Sequence, residues 1–212
     1  MHTVALLSTR LDAGPPARLL LADLGGWPLL YRVVERARLA TAIDEVVVVT
    51  STRPLDDPLA HFCDDFQVAC CRLRDTTIDE CCQAARRLHA SVIVRLIPNC
   101  PLIDPQLVDQ AVRTLHAGKF DYVANTLERT YPAGLDVEVV SRAALERACR
   151  EAPNGRLLTD APTYIAQHPD RFRLHNLRSP EDRSALRWTV ETAEDLERVR
   201  AAGEWTLPAV AV

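Results

Sequence analysis

The chain has 212 residues, of which 48% are hydrophobic, enough to enclose the core of one domain. Lys and Arg total 25 against 29 Asp and Glu, and the resulting charge of −4 argues against a nucleic acid partner, which would need a broad cationic face. Apolar runs such as Val46 to Val49 fall far short of the roughly 20 residues that cross a bilayer, so no membrane partner is expected.

In chain order, Thr3 to Leu7 reads as a buried strand leading into a turn-prone loop with Asp12, Gly14, Pro15 and Pro16. A helix follows from Pro28, where Leu29, Leu30, Val33, Val34 and Ala37 recur at helical spacing and Pro28 suits a first turn. Val46 to Thr50, with four valines in a row followed by a threonine, has the pattern of a parallel strand covered on both faces. The alternation continues with a helix at Pro58 to Phe66, a strand at Gln67 to Cys71, a helix at Thr77 to Leu88, a strand at Ser91 to Leu96 and a helix at Asp104 to Ala117. Asp121 to Asn125 and Leu135 to Val140 read as strands separated by the turn Tyr131-Pro-Ala-Gly134. Helices at Arg142 to Glu151 and Thr159 to His168, strands at Arg171 to Leu177 and Arg187 to Thr192, and a helix at Ala193 to Ala202 complete the chain. This order predicts a single α/β domain over 1–212, Rossmann-like and doubly wound around a mostly parallel sheet.

In such a sheet ligands bind beyond the carboxyl ends of the strands. The segment after the first strand, Arg10, Leu11, Asp12 and Ala13, is where backbone N–H groups would cradle phosphates, with Arg10 as a cation; a Pro-rich turn is the plainer reading. Thr50 and Ser51 close the second strand. Asn99, past the fourth, either binds a ligand or closes a turn, whereas Asp104 reads as a helix cap. Asp136 and Glu138 share one face of their strand, suited to orienting sugar hydroxyls or to lying in solvent. Glu191 fits a metal-binding carboxylate or a first-turn acid, with Thr192 as a cap. Met1-His2-Thr3 is not a basic leader, and seven cysteines, an odd number, are expected as free thiols in a reducing cytoplasm. The Cys70, Cys71, Cys81 and Cys82 spacing matches no common zinc pattern, so these are expected as small apolar groups.

Taken together, Leu24 to Leu30, Ile43 to Thr52, Asn99-Cys-Pro-Leu-Ile-Asp-Pro105, Thr130 to Glu138, His168 to Leu174 and Arg187-Trp-Thr-Val-Glu-Thr-Ala-Glu-Asp-Leu-Glu197 resemble the cytidylyltransferases of spore-coat polysaccharide synthesis, relatives of the CMP-sialate and CMP-octulosonate synthetases. The resemblance covers nearly the whole chain. It implies transfer of CMP from CTP to an acidic or related sugar with release of pyrophosphate, Mg²⁺ as cofactor, and a homodimer with an excursion at about 126–140 near its interface. It implies that Arg10 and Arg18 hold phosphates, that Asp136 and Glu138 orient the sugar, and that Glu191 and Asn99 occupy the metal-ligand positions. The departures are specific. The family's first loop reads Ala-Arg-x-Gly-Ser-x-Arg-Leu-Pro-Gly-Lys; here only Arg10 is in register, Asp12-Ala13 replaces Gly-Ser, Pro15 replaces the second Arg and Leu19 replaces the Lys. Arg18 stands one place before the lost Lys, and Pro15 and Pro16 remove two backbone donors. Asn99 replaces an Asp, Glu191 replaces another, Ala133 replaces an acid and Thr159 to Thr163 lacks the family's His. Two expectations follow: an active nucleotidyltransferase with altered substrate or metal use, or an inactive relative acting as a binding or regulatory subunit.

Overall fold

The computed structural model describes residues 1–74, 79–151 and 160–201. Seven strands run β1 Thr3–Ser8, β2 Glu45–Ser51, β3 Ala69–Leu73, β4 Val92–Leu96, β5 Tyr122–Ala124, β6 Val137–Ser141 and β7 Leu174–Asn176, in the spatial order β3-β2-β1-β4-β6-β5-β7. All neighbours are parallel except β6, which runs against both β4 and β5. The mostly parallel α/β sheet expected from the sequence is thus observed. Eight helices accompany it among the described residues: α1 Pro15–Leu19, α2 Leu29–Arg38, α3 Asp57–Asp65, α4 Glu80–Arg87, α5 Pro105–Gly118, α6 Arg142–Glu151, α7 Ala161–Ala166 and α8 Ala193–Ala201.

The valine run of β2 explains the two-layer covering. Val46 and Val48 enter the core shared with α2, α3 and α5, while Val47 and Val49 enter the one shared with α4, α6 and α7. Alternate side chains of a strand point to opposite faces, so a continuous apolar run is what a doubly covered strand requires. Each buried valine stabilises the fold by roughly 1.5 to 3 kcal/mol before entropy is counted. In α2 the residues Leu29, Leu30, Val33, Val34 and Ala37 are all fully buried on one face, and Val33→Asp would place a charge there. Pro28 is the cap rather than a first-turn residue, with φ −56° and ψ 142°. Asp104 caps α5 as expected, accepting the Gln106 N–H at 2.9 Å with Pro105 next in line.

Several boundaries differ from the sequence reading. The loop after β1 contains the short helix α1, because Pro15 and Pro16 fall in a first turn where their missing N–H groups are not needed. Strand β3 begins two residues late: Gln67, at φ 52°, ends the turn after α3, and Ala69 is the first residue to pair with β2. Helix α4 starts at Glu80 because Asp79 caps it, accepting the Cys82 N–H; positions 77 and 78 of the expected helix lie outside the described residues. Asp160 caps α7 through the Thr163 N–H, with position 159 outside, and position 202 of the last expected helix is likewise outside. Strand β7 keeps only the three residues that pair with β5. The expected strand from Arg187 to Thr192 is absent: Arg187 makes a single bridge to Ala133, and Val190 then turns to Asn99, so no ladder forms.

The cysteines also depart from expectation. Cys82 of α4 and Cys149 of α6 form a disulfide across the contact between those helices, and Cys70 is exposed; Cys63, Cys71, Cys81 and Cys100 are buried free thiols. Among the described residues no helix is long and apolar enough to cross a membrane.

Candidate functional site

The carboxyl ends of β1, β2 and β4 meet the start of the antiparallel β6 at one rim of the sheet, gathering most of the residues singled out from the sequence. The first loop leaves β1 with the Thr9 N–H still bonded to Val49 O at 2.9 Å. It then folds on itself and on β2. The Ala13 N–H goes to Arg10 O at 3.0 Å, the Ala17 N–H to Gly14 O at 3.2 Å, and the Leu11 N–H to Asp56 Oδ1 at 2.8 Å. Asp56 is completely buried, and its other oxygen accepts the Ser51 hydroxyl. Ser51 Oγ in turn accepts from the Arg53 backbone and Nε at 3.1 and 3.2 Å.

The negative charge of Asp12 meets Arg53 in a two-pronged pair, 2.8 Å at each oxygen. Arg53 holds the Asp12 carboxyl below its ordinary value through that hydrogen bond, against the opposing effect of burial. Arg10 lies 3.8 Å from Glu80 at the start of α4. Arg18 is exposed and makes no hydrogen bond or ion pair among the described residues. Thr50 and Ser51 are 2% and 1% exposed, Thr50 within β2 and Ser51 turned toward Asp56.

At the end of β4, Asn99 and Val190 bind each other twice: Asn99 Nδ2 donates to Val190 O, and the Val190 N–H donates to Asn99 O, both at 2.9 Å. This latch sets Glu191 beside Asn99. A second contact fixes the same segment, where the Trp188 N–H donates to Ala133 O at 2.6 Å over Gly134. Gly134 has φ 106°, and a Cβ there would lie 2.7 Å from the Trp188 carbonyl carbon, so the approach depends on glycine. Glu191 accepts from Thr189 Oγ1 at 3.0 Å and lies 3.3 Å from Arg187. Thr192 and Asp195 form a reciprocal cap for α8: Asp195 accepts the amides of Glu191 and Thr192, while Thr192 Oγ1 accepts that of Asp195, all at 3.1 Å. Burial pushes the Asp195 carboxyl up, but those amides and Arg187 outweigh it and hold the group low.

Asp136 and Glu138 share a face, as their alternation predicts, and each meets an arginine. Arg129 grips Asp136 at 2.5 and 3.0 Å. Arg95, from β4, reaches Glu138 at 3.1 Å and both oxygens of Asp160 at 3.2 and 3.3 Å. Burial raises the Glu138 carboxyl despite Arg95, and it likewise raises Glu80 and Asp79. Burial also works against the charged form of Arg95, yet Glu138 and Asp160 more than offset it and raise its pKa. The buried Cys100 thiol is raised first by burial and then by Asp136 and Glu191, which marks those two carboxylates as its neighbours.

Asp56, Arg53, Arg95 and Arg129 therefore organise the rim; of these only Arg53 falls in a segment expected from the sequence, Thr50 to Arg53 at the end of the second strand. Arg95 had a signal, a lone cation within Val92-Ile-Val-Arg-Leu96; Asp56 and Arg129 had none, since their partners lie elsewhere in the chain.

A divalent cation does not fit these side chains as a preformed centre. Asn99 offers a neutral amide already donating to Val190, and Glu191 faces Arg187. No group of three His, Cys, Asp or Glu among the described residues is arranged to hold an ion. Magnesium prefers carboxylates with phosphate and water oxygens in octahedral geometry.

Comparison with known proteins agrees with the fold. A model of a cytidylyltransferase family matches residues 17–198. The 3-deoxy-manno-octulosonate cytidylyltransferase of Anaeromyxobacter dehalogenans is 30% identical over 238 residues, covering 94% of this chain and 97% of that protein. The spore coat polysaccharide biosynthesis protein SpsF of Bacillus subtilis is 28% identical over 179 residues, covering 82% and 72% respectively. The structure of a cytidylyltransferase from Leptospira borgpetersenii serovar Hardjo-bovis superposes with a TM-score of 0.85 at 24% identity, covering 98% of this chain and 88% of that one.

Proposed function

The chain belongs to the cytidylyltransferase family, and from that premise we propose that it is a catalytically silent member, a binding or regulatory subunit of a polysaccharide or glycan pathway. One observation supports this reading: two backbone amides of the first loop that would meet a triphosphate are already engaged within the protein, and the loop's acid is held in an ion pair. The Leu11 and Ala13 amides bond to Asp56 and Arg10, and the loop carries Asp12 in an ion pair. Catalysis of phosphoryl-group chemistry rests on positioned positive charge, and each lost factor of ten in rate corresponds to about 1.4 kcal/mol of transition-state stabilisation. Loss of the second Arg and the Lys from the loop, with Asn99 for Asp, removes several kcal/mol of that stabilisation on this scale.

A second reading is favoured by Arg18, which is exposed beside the loop without a partner among the described residues. In it the chain is an active enzyme making a CMP-sugar and pyrophosphate from CTP and an acidic or related sugar. Arg10 and Arg18 then hold phosphates at the loop of Leu11, Asp12 and Ala13, Thr50 and Ser51 support the nucleotide, and Asp136 and Glu138 orient the sugar. Asn99 and Glu191 would hold Mg²⁺ only after rearranging away from Val190 and Arg187. In both readings the protein acts in the cytoplasm as a homodimer, its excursion at about 126–140 at the interface, which sedimentation tests directly.

The deciding experiment is calorimetric titration with CTP and other nucleoside triphosphates, with and without Mg²⁺, beside a pyrophosphate-release assay with an acidic sugar. The silent reading expects no pyrophosphate above background and CTP affinity that Mg²⁺ does not raise. Tight, Mg²⁺-dependent CTP binding with turnover would establish the second reading instead.

A further inference from the structure

A cavity of about 690 Å³ opens where the end of β3 meets the outer face of α4, and four of its lining residues are arginines: Arg72, Arg74, Arg86 and Arg87. We propose that this cavity is an anion site for a small molecule carrying several phosphate charges, separate from the first loop and independent of whether the chain turns over CTP.

Two of the four guanidinium groups are fixed by the backbone. Arg72 donates through Nε to Ser51 O at 2.9 Å and through Nη2 to Arg53 O at 3.1 Å, with Asp57 at 2.6 Å. Arg87 donates to Arg72 O at 3.0 Å. The wall behind them is equally constrained, because the Thr52 N–H is bonded to Leu73 O at 3.1 Å. Preformed cationic walls bind anions without having to order long side chains first.

The other two guanidinium groups are exposed, and neither Arg74 nor Arg86 makes a hydrogen bond or ion pair among the described residues. Among the described residues that line the cavity there is no carboxylate, and the one acid paired with a lining arginine is Asp57, on Arg72. Arg72 is compensated by Asp57, but the like charges of Arg74, Arg86 and Arg87 gathered in one concavity repel each other, and a bound polyanion relieves that repulsion. The volume lies within the range of about 300 to 1,000 Å³ typical of small-molecule sites, with room for more than a single phosphate. Thr52 and Gln83 add polar groups to the lining that suit the uncharged part of such a ligand.

Titration of the full chain with tripolyphosphate at low and raised salt tests the assignment. Binding should weaken as salt rises, and Arg74→Glu and Arg86→Glu should each lower affinity by about tenfold or more. Arg113→Glu, an equal charge change at an exposed position on α5, should alter it by less than about twofold. Both test positions are exposed, and thermal unfolding of each variant verifies that the fold is intact. Absence of tripolyphosphate binding to the native chain would overturn the proposal. So would unchanged affinity in both variants, an equal loss in Arg113→Glu, or a loss confined to Arg18→Glu, which would place the anion at the first loop. Pyrophosphate release in the CTP assay would sink the silent reading yet leave this site standing, so the two failures are distinguishable.

Discussion

Replacing Asp56 by alanine removes the acceptor on which the first loop and the end of β2 both depend. In the native chain one Asp56 oxygen takes the Leu11 N–H at 2.8 Å and the other takes the Ser51 hydroxyl, with the carboxylate completely buried. The alanine variant leaves both donors without a partner in a place water reaches poorly. Each stranded donor costs about 1 to 3 kcal/mol, so the loss should be about 4 kcal/mol. In a chain of 212 residues each kcal/mol moves Tm by about 2 to 4 °C, which puts the expected fall near 10 °C. Asp56→Asn keeps one acceptor oxygen and should lose about half as much. Urea titration and thermal unfolding followed by circular dichroism measure both variants. An alanine variant that melts within about 2 °C of the native protein would refute the reasoning, since water would then be satisfying both donors.

Arg95→Leu leaves Glu138 and Asp160 without their shared cation. Because about a third of the Arg95 side chain is exposed, at 34%, the expected loss is about 2 kcal/mol in urea rather than the 3 to 5 of a fully buried pair. Gly134→Ala should cost about 3 kcal/mol in the same assay, from its positive φ and the contact with the Trp188 backbone. Reducing Cys82–Cys149, which closes a sequence separation of 67, should lower stability by up to about 4 kcal/mol, read as a Tm shift on adding dithiothreitol that Cys82→Ser abolishes. Thermal unfolding across pH should show two trends. Glu138, Glu80 and Asp79 are raised above their unfolded values, so protonating them as pH falls through their folded values stabilises the fold. Asp195 and Asp109 are depressed, so the stability they contribute above about pH 4 is lost as pH drops through their folded values. A monotonic fall in Tm from pH 7 downward would contradict the first trend.

What the sequence made legible was local. The valine run of β2, the face of α2, the Asp104 cap and the Thr192 cap each follow from neighbouring residues, and each is present. The direction of β6 was not legible, because alternation tells which side chains share a face but not which way the strand runs. The partners of the candidate site residues were hidden for a related reason. Leu11 meets Asp56 across 45 positions, Arg95 meets Asp160 across 65, and Asn99 meets Val190 across 91. Spacing along the chain carries no signal over such distances. The Arg187 to Thr192 segment misled because extended residues qualify as a strand only where a neighbour offers a ladder, and Asn99 offers a single turn of contact instead.

Strand β6, the one that runs against the rest, has a consequence for how the molecule opens. It lies between β4 of the amino-terminal parallel half and β5 of the carboxyl-terminal half, paired to each, so it is the seam through which the two halves share hydrogen bonds. Neither half can separate from the other without breaking a ladder on this strand. Its amides should therefore exchange with solvent deuterium only through global unfolding, while those of β7, a three-residue edge, exchange through local fraying. The cooperativity of the whole sheet then depends on five residues, Val137 to Ser141.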